Sequence, residues 1–470
     1  MFYLILFLLS GTAKIAFLHH GNQSFSDNGA YALRPGDYGY NGNSYHRIMD
    51  THEYYSVPVD IHISGPLLQS FAYLGNDNGL LERLKGDLVD IVGGFYAEHI
   101  APYVPEDMNR FSLWYERIID SSLVKEPGWP GYPTVIWIPE RVWKSEILMP
   151  YSLIDVLNQE YGKYDSNGNY IAPCIVLDDA AQWINSLSID TRKVYKLNDS
   201  DGDYVFLVFI DTDARNNMVW NDISDPSNPL HQELVGLSND SDQWKVLIYG
   251  DDWEKAAGVA GWDFGQAGAP SNSYDHNISW IKSQSTWIQP VHICEIAKWW
   301  GSDVVNGYTQ GTVPELDYTQ LVYSTYPELH DWTGGTYDNW YNDFKSTQAY
   351  GCSGAPDLNG NGTYGDYEDL YMFGRQELIG TSDNNVSKLG WVVLMGMLYE
   401  TGWHTGPGGE LVYWGKNLWN HSRYAGGLAY ASDWLSYCDT ISSPVVDSVD
   451  LDGDGEYEYL LYNNKMSCNG

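Results

Sequence analysis

Residues 134–143 read Thr-Val-Ile-Trp-Ile-Pro-Glu-Arg-Val-Trp. A short run of β-branched and aromatic residues with no polar alternation is the pattern of a strand buried on both faces. Pro139 ends the run, and the charged pair Glu140-Arg141 follows at once, between Trp137 and Trp143. The pattern recurs on either side of it. Residues 14–18, 57–63, 88–92, 175–177, 205–210 and 245–249 are apolar runs with polar residues clustered just after them. Stretches long enough for helices separate most of these runs. Such alternation predicts an α/β fold on a parallel barrel or open sheet, with functional residues at the strand ends.

Beyond residue 282 the pattern changes. Residues 283–300, 385–400 and 411–435 have helical spacing, the last with Trp414, Leu418, Trp419, His421 and Tyr424 along it. Residues 441–470 return to loop and then to a strand pattern over 457–462. The apolar run at 2–9, followed by Ser10-Gly11-Thr12-Ala13, is too short to cross a bilayer. It is similar to a secretory signal segment and predicts a secreted, extracellular location.

Charge narrows the partner classes. With 25 Lys+Arg against 62 Asp+Glu the net charge is −37. Nucleic acid and anionic membranes are bound through basic residues, so neither is an expected partner. A neutral substrate and bound cations fit such a surface. The 38 Tyr and 20 Trp include flat faces suited to sugar rings, although most aromatics belong to the core.

Two carboxylate positions carry potential chemistry. Glu140 ends a strand beside an arginine and two tryptophans, which can keep it ionised close to a sugar. Asp251-Asp252-Trp253-Glu254 follows the run at 245–249, and crowding of three acids raises at least one pKa, as a general acid requires. The bland alternatives are a structural Glu140–Arg141 ion pair and a solvated acidic turn. Two carboxylates on different strand ends are the minimum machinery for cleaving a glycosidic bond. A metal-dependent hydrolase is a rival class, but His19, His20 and His62 show no three-ligand spacing.

Five segments in order resemble the motifs of glycoside hydrolase family 57. They are KIAFLHHGNQ (14–23), VDIVGGFYAEHIAP (89–102), IWIPERVW (136–143), YGDDWEKAAG (249–258) and LYETGWHT (398–405). The resemblance implies a (β/α)7 barrel with a C-terminal helical bundle and retention of anomeric configuration. It implies Glu140 as nucleophile and Asp252 as general acid/base. Substrate contacts would come from His20, Glu98, Trp137, Arg141, Trp253, Glu400, Trp403 and His404. The chain departs from the family pattern at Asn22, Ser24 and Trp253; its His-Gly-Asn form is similar to the galactosidase branch. The implied activity is hydrolysis of α-linked glucans, of amylase or amylopullulanase type, without an organic cofactor. Its alternatives are a 4-α-glucanotransferase, a branching enzyme, an α-galactosidase, or a non-catalytic extracellular carbohydrate-binding protein. The domain reading is a signal segment at 1–13, the barrel at 14–282, a helical domain with an inserted loop at 283–440, and the start of a β region at 441–470.

Two loops have calcium-type spacing. Asp357, Asn359, Asn361, Thr363 and Glu368 occupy ligand positions of a twelve-residue EF-hand loop, with Gly362 at its sharp turn. Asp450, Asp452, Asp454 and Glu458 open the same way with an earlier closing acid. Both predict structural calcium. The five-residue stretches Asp165-Ser-Asn167-Gly-Asn169 and Asp199-Ser-Asp201-Gly-Asp203 share the alternation but lack a clear closing ligand, and read as turns.

Overall fold

The computed structural model describes residues 11–22, 45–74, 78–144, 152–180, 184, 186–242, 244–258, 273–301, 304–305, 308–309, 313–321, 323–324, 345–349, 352, 354–398, 414–452, 456–465 and 467–469. The chain divides into two compact units, one of residues 1–96 and 104–327 and the other of residues 97–103 and 328–470. The sequence boundary at 282/283 therefore becomes 327/328, with a short early segment joining the second unit.

The first unit is mixed α/β with two sheets. One runs β10 (Val246–Asp252), β1 (Ala13–Gly21), β2 (Val59–Ile63), β3 (Val89–Val92), with β11 (Ile288–Pro290) also on β1, all parallel. The other places β9 (Tyr204–Ile210) parallel to β7 (Cys174–Asp178), and β7 parallel to β4 (Val135–Trp137). On its far side β9 pairs antiparallel with β8 (Tyr195–Asn198), which carries β12 (Glu315–Asp317).

Backbone bonds link the sheets at both ends. Between β3 and β4, Gly93 N donates to Val135 O at 2.9 Å and Trp137 N donates to Gly93 O at 2.8 Å. Between β9 and β10, Asp211 N donates to Ile248 O at 2.9 Å. Alternate side chains of the parallel strands share one core. Ala16 and Leu18, Val135 and Trp137, Cys174 and Val176, Phe206 and Val208, and Val246 and Ile248 meet there with residues of helix α8 (Ile293–Gly301). The near-continuous apolar composition of β9 and β10 follows from burial on both faces, one toward this core and one toward helices.

Helix entries are set by the strand ends. Asp211, just past β9, caps α4 (Thr212–Met218) by accepting from Ala214 N. Ser152 caps α3 (Leu153–Tyr161) by accepting from Ile154 N. Gly258, at φ 66°, ends α6 (Trp253–Ala257) in the left-handed conformation that favours glycine.

In the second unit α9 (Tyr367–Ile379) and α10 (Asn385–Met395) both pack on the long α11 (Trp414–Tyr437). A Cβ on Gly374 would come within 2.8 Å of Ser422 O, so only glycine permits the close crossing of α9 and α11. An antiparallel sheet of β13 (Val445–Val449), β14 (Glu458–Tyr462) and β15 (Ser467–Asn469) follows. Among the described residues no helix is long and apolar enough to cross a membrane.

Candidate active site

The parallel strands deliver polar residues to their C-terminal ends. His20 is the last residue but one of β1, His62 sits in β2, Glu140-Arg141 follow β4, Asp178 ends β7, Asp211 follows β9, and Asp251-Asp252 end β10. His20 lies in register with Asp252 on one side and His62 on the other.

Glu140 adopts φ 50° and ψ 17°, and Arg141 also has φ 50°. Left-handed backbone at a residue with a Cβ costs about 1–2 kcal/mol and persists where the surroundings impose it, often at functional sites. Glu98 shares this conformation at φ 59°. Among the described residues, three of the five non-glycine residues with positive φ are thus residues that the sequence singles out.

A buried chain of charges joins the end of β4 to the end of β10. Arg141 Nε is 3.8 Å from Asp178 Oδ2, and Arg215 Nη1 is 3.6 Å from the same oxygen. Arg215 Nε continues to Asp251 Oδ1 at 3.3 Å, and Lys255 Nζ reaches Asp251 at 2.9 Å and Asp252 at 3.9 Å. Burial pushes the Asp178 carboxyl up, and the two arginines oppose it. Arg141, Arg215 and Lys255 thus lie along the buried Asp178 and Asp251 carboxylates, beside the strand ends that carry Glu140 and Asp252. The three acids at 251–254 have separate environments. Asp251 is paired with Arg215 and Lys255, Glu254 accepts from Tyr45 OH at 2.7 Å, and Asp252 keeps 46% of its side chain exposed.

Strand alternation sorts the histidines. His20 Nδ1 is 2.8 Å from His62 Nδ1, and its ring stacks on Trp137 with centroids 4.3 Å apart. Burial lowers both imidazoles well below the usual histidine range, reinforced for His20 by Arg141 and for His62 by His20. Both rings are therefore neutral at pH 7. Neighbouring His19 points the other way, its Nε2 2.8 Å from Tyr274 OH.

The remaining sequence-selected residues fall as follows. Trp137 is 1% exposed, and the Arg141 guanidinium lies 4.8 Å over its ring. Trp253 is fully buried, tilted against Tyr45 with centroids 4.3 Å apart. Both indoles support the strand ends from within. Glu98 is fully buried in the early segment of the second unit. Glu400, Trp403 and His404 lie outside the described residues, as does Asp454.

The two calcium-type loops sit in the second unit. Oxygens of Asp450, Asp452 and Glu458 lie within 4.8 Å of one another, and Arg423 pairs with Asp452. In the earlier loop Asp357 accepts from Asn361 N at 3.1 Å and Gly362 N at 3.0 Å, and Asn361 Oδ1 accepts from Thr363 N at 2.7 Å. Asn359 Nδ2 donates to Glu368 Oε2 at 2.9 Å, and the Asn359 and Asn361 amides both reach Asp366. The oxygen-rich donor sets of both loops suit a hard cation.

No protein-family model and no curated protein sequence matches the chain. Solved structures do. The 4-α-glucanotransferase from Thermococcus litoralis superposes with TM-score 0.57 at 17% identity, over 98% of this chain and 64% of that one. A GH57-type branching enzyme from Pyrococcus horikoshii gives TM-score 0.56 at 10% identity, over 91% of both chains. The chain shares the fold of GH57-type enzymes. An exo-type maltose-forming amylase from Pyrococcus sp. ST04 follows, with TM-score 0.51 at 12% identity, over 90% of this chain and 71% of that one. The chain spans 64% of the length of the glucanotransferase.

On this GH57-type fold, sequence reasoning passed over Asp178, Arg215 and Lys255 and did not use His62 as a site residue. Asp178 had a local signal, an acid directly ending an apolar run. Arg215 had none, since its role arises from the capped α4 that aims it back at two strand ends.

Proposed function

We propose that the chain is a retaining glycoside hydrolase of amylase or amylopullulanase type that acts on α-linked glucans. The observation that carries this reading is the left-handed turn at Glu140, tied through Arg141, Asp178, Arg215 and Asp251 to the strand end bearing Asp252. The reading takes strands β10, β1, β2, β3, β4, β7 and β9 to close as a (β/α)7 barrel. The backbone bonds at Gly93 and Asp211 and the shared core of alternate side chains support that closure.

The chemistry follows from the two carboxylates. A Glu140 oxygen attacks the anomeric carbon while Asp252 gives its proton to the departing glycosidic oxygen, and the old C–O bond breaks. Water then attacks the same carbon, Asp252 takes the water proton, and the bond to Glu140 breaks. Arg141 and the buried network hold the Glu140 turn, and the half-exposed Asp252 is open to an incoming sugar and water. The neutral His20 suits hydrogen bonding to a sugar hydroxyl. A secreted location and structural calcium in the loops at 357–368 and 450–458 belong to the same reading.

Product analysis on maltooligosaccharides, pullulan and an α-galactoside tests it. Shorter maltooligosaccharides of retained configuration are expected, and Glu140→Gln abolishes them. Longer chains would make the enzyme a transferase, galactose would move it to α-galactosides, and undiminished activity of Glu140→Gln would remove Glu140 from the chemistry.

A further inference from the structure

Two hairpins of the first unit carry loops of nearly the same sequence, and they meet their hydrogen-bonding needs differently. Asp165-Ser-Asn167-Gly-Asn169 joins β5 (Lys163–Tyr164) to β6 (Tyr170–Ile171), and Asp199-Ser-Asp201-Gly-Asp203 joins β8 to β9. The backbones match. In each, the first Asp accepts through Oδ1 from the amides two and four residues on, and its own N–H bonds the carbonyl four residues on. Gly168 and Gly202 have φ of 82° and 91°.

The fifth residue makes the difference. Asn169 Nδ2 donates to Asp165 Oδ2 at 2.9 Å, so that loop satisfies its own carboxylate. Asp203 has no proton donor to offer when ionised. Asp199 is 4% exposed, and among the described residues its Oδ2 has no hydrogen-bond partner. A third carboxylate, from Asp155 in the first turn of α3, joins them, and oxygens of Asp155, Asp199 and Asp203 lie within 4.8 Å of one another. No cationic side chain pairs with any of the three among the described residues. A buried carboxylate oxygen without a donor or counter-charge, beside two further carboxylates, is unfavourable.

We propose that Asp155, Asp199 and Asp203 hold a calcium ion that ties α3 to the β8–β9 hairpin. Asp155 supplies the closing ligand that the loop itself lacks. The donor set is carboxylate oxygen only, which favours a hard divalent cation over zinc or copper. Two ligands of one calcium ion, at about 2.4 Å each, can stand no more than about 4.8 Å apart, and the three oxygens lie within that limit. Asp203 is exposed, so the ion has a route in from solvent. The proposal is independent of the roles of Glu140 and Asp252.

Asp203→Asn tests it, because it gives this loop the self-satisfying amide of its sister. Calcium bound per full-length chain is counted by equilibrium dialysis in the parent and the variant. The variant should bind one fewer calcium than the parent, whatever the loops at 357–368 and 450–458 contribute. In chelator it should melt at the same or a higher temperature than the parent, and millimolar calcium should reverse that order. Asp165→Asn, the control in the sister loop, should leave the count unchanged. Asp155→Asn, also at a partly exposed position, should repeat the loss. An equal calcium count in the parent and in both Asp203→Asn and Asp155→Asn would overturn the proposal.

Discussion

Arg215 Nε lies 3.3 Å from Asp251 Oδ1, at the residue immediately before the proposed acid/base. The same guanidinium is 3.6 Å from Asp178, the partner of Arg141. Removing it leaves two buried carboxylates short of charge. Arg215→Ala should cost about 3–5 kcal/mol of stability, as for broken buried ion pairs. It should also lower kcat more than it raises KM, because the change displaces catalytic groups rather than sugar contacts. Arg215→Lys should restore part of the stability. An unchanged denaturation midpoint in Arg215→Ala would show the network to be idle.

Trp137 and His20 make the second test. The indole is 1% exposed and stacked on His20, so Trp137→Ala should open a cavity and cost about 3–5 kcal/mol. Trp137→Phe keeps most of the volume and should cost less than half of that. If Trp137→Ala instead left stability unchanged and only weakened glucan binding, the indole would be a sugar platform and not part of the core.

The strands and the strand-end positions of Glu140 and Asp252 were legible, and the reason is hydrophobic patterning. Continuous apolar runs such as 205–210 admit few readings other than buried strands, and charge placed directly after them falls at the strand ends. The direction a side chain takes there was less legible. Trp137 and Trp253 read as sugar-facing aromatics, yet Trp137 points into the shared core and Trp253 packs under Tyr45. Through-space partners were not legible at all. Nothing near Asp178 in sequence announces Arg215, and nothing in the loop at 199–203 announces Asp155, which arrives from an earlier helix. Local spacing describes a loop's own oxygens; the closing ligand is a property of the tertiary fold.

Acid–base linkage gives a third prediction. Asp60 and Asp90 are in register on β2 and β3, and His292 Nδ1 is 2.8 Å from Asp60 Oδ1. Burial and then the Asp60 charge push the Asp90 carboxyl up to about 7. Burial alone would lower His292, but Asp60, together with Asp90 and Glu295, offsets it and raises the imidazole above its usual value. Both groups hold protons more tightly folded than unfolded. Their stabilising contribution is complete below the unfolded pKa and is lost as pH rises through the folded one. Stability should thus fall as pH rises from about 4 through 7 for Asp90, and further above about 6.5 for His292. Asp90→Asn should flatten the first part of that slope, by on the order of 2 kcal/mol. Urea midpoints across pH check it, and an equally steep slope in the variant would contradict it.

Metal removal gives a fourth. The loops at 357–368 and 450–458 lie in the second unit, away in sequence from Glu140 and Asp252. Chelation should lower the melting temperature while activity at moderate temperature changes less, and added calcium should restore the melting point. Glu368→Gln and Glu458→Gln should each lose part of that shift. No change in melting after thorough chelation would count against calcium in these loops.

The division of labour between Glu140 and Asp252 is tested most directly by azide rescue. An α-glucoside with an acidic aryl leaving group needs little protonation in the first step, so Asp252→Asn should still form the glycosyl-enzyme and then stall without a base. Azide needs no base, and adding it to Asp252→Asn should restore turnover and release the α-glucosyl azide of retained configuration. Glu140→Gln should stay without any retained product, because the covalent intermediate cannot form. A retained azide from Glu140→Gln, with no rescue of Asp252→Asn, would contradict the assignment.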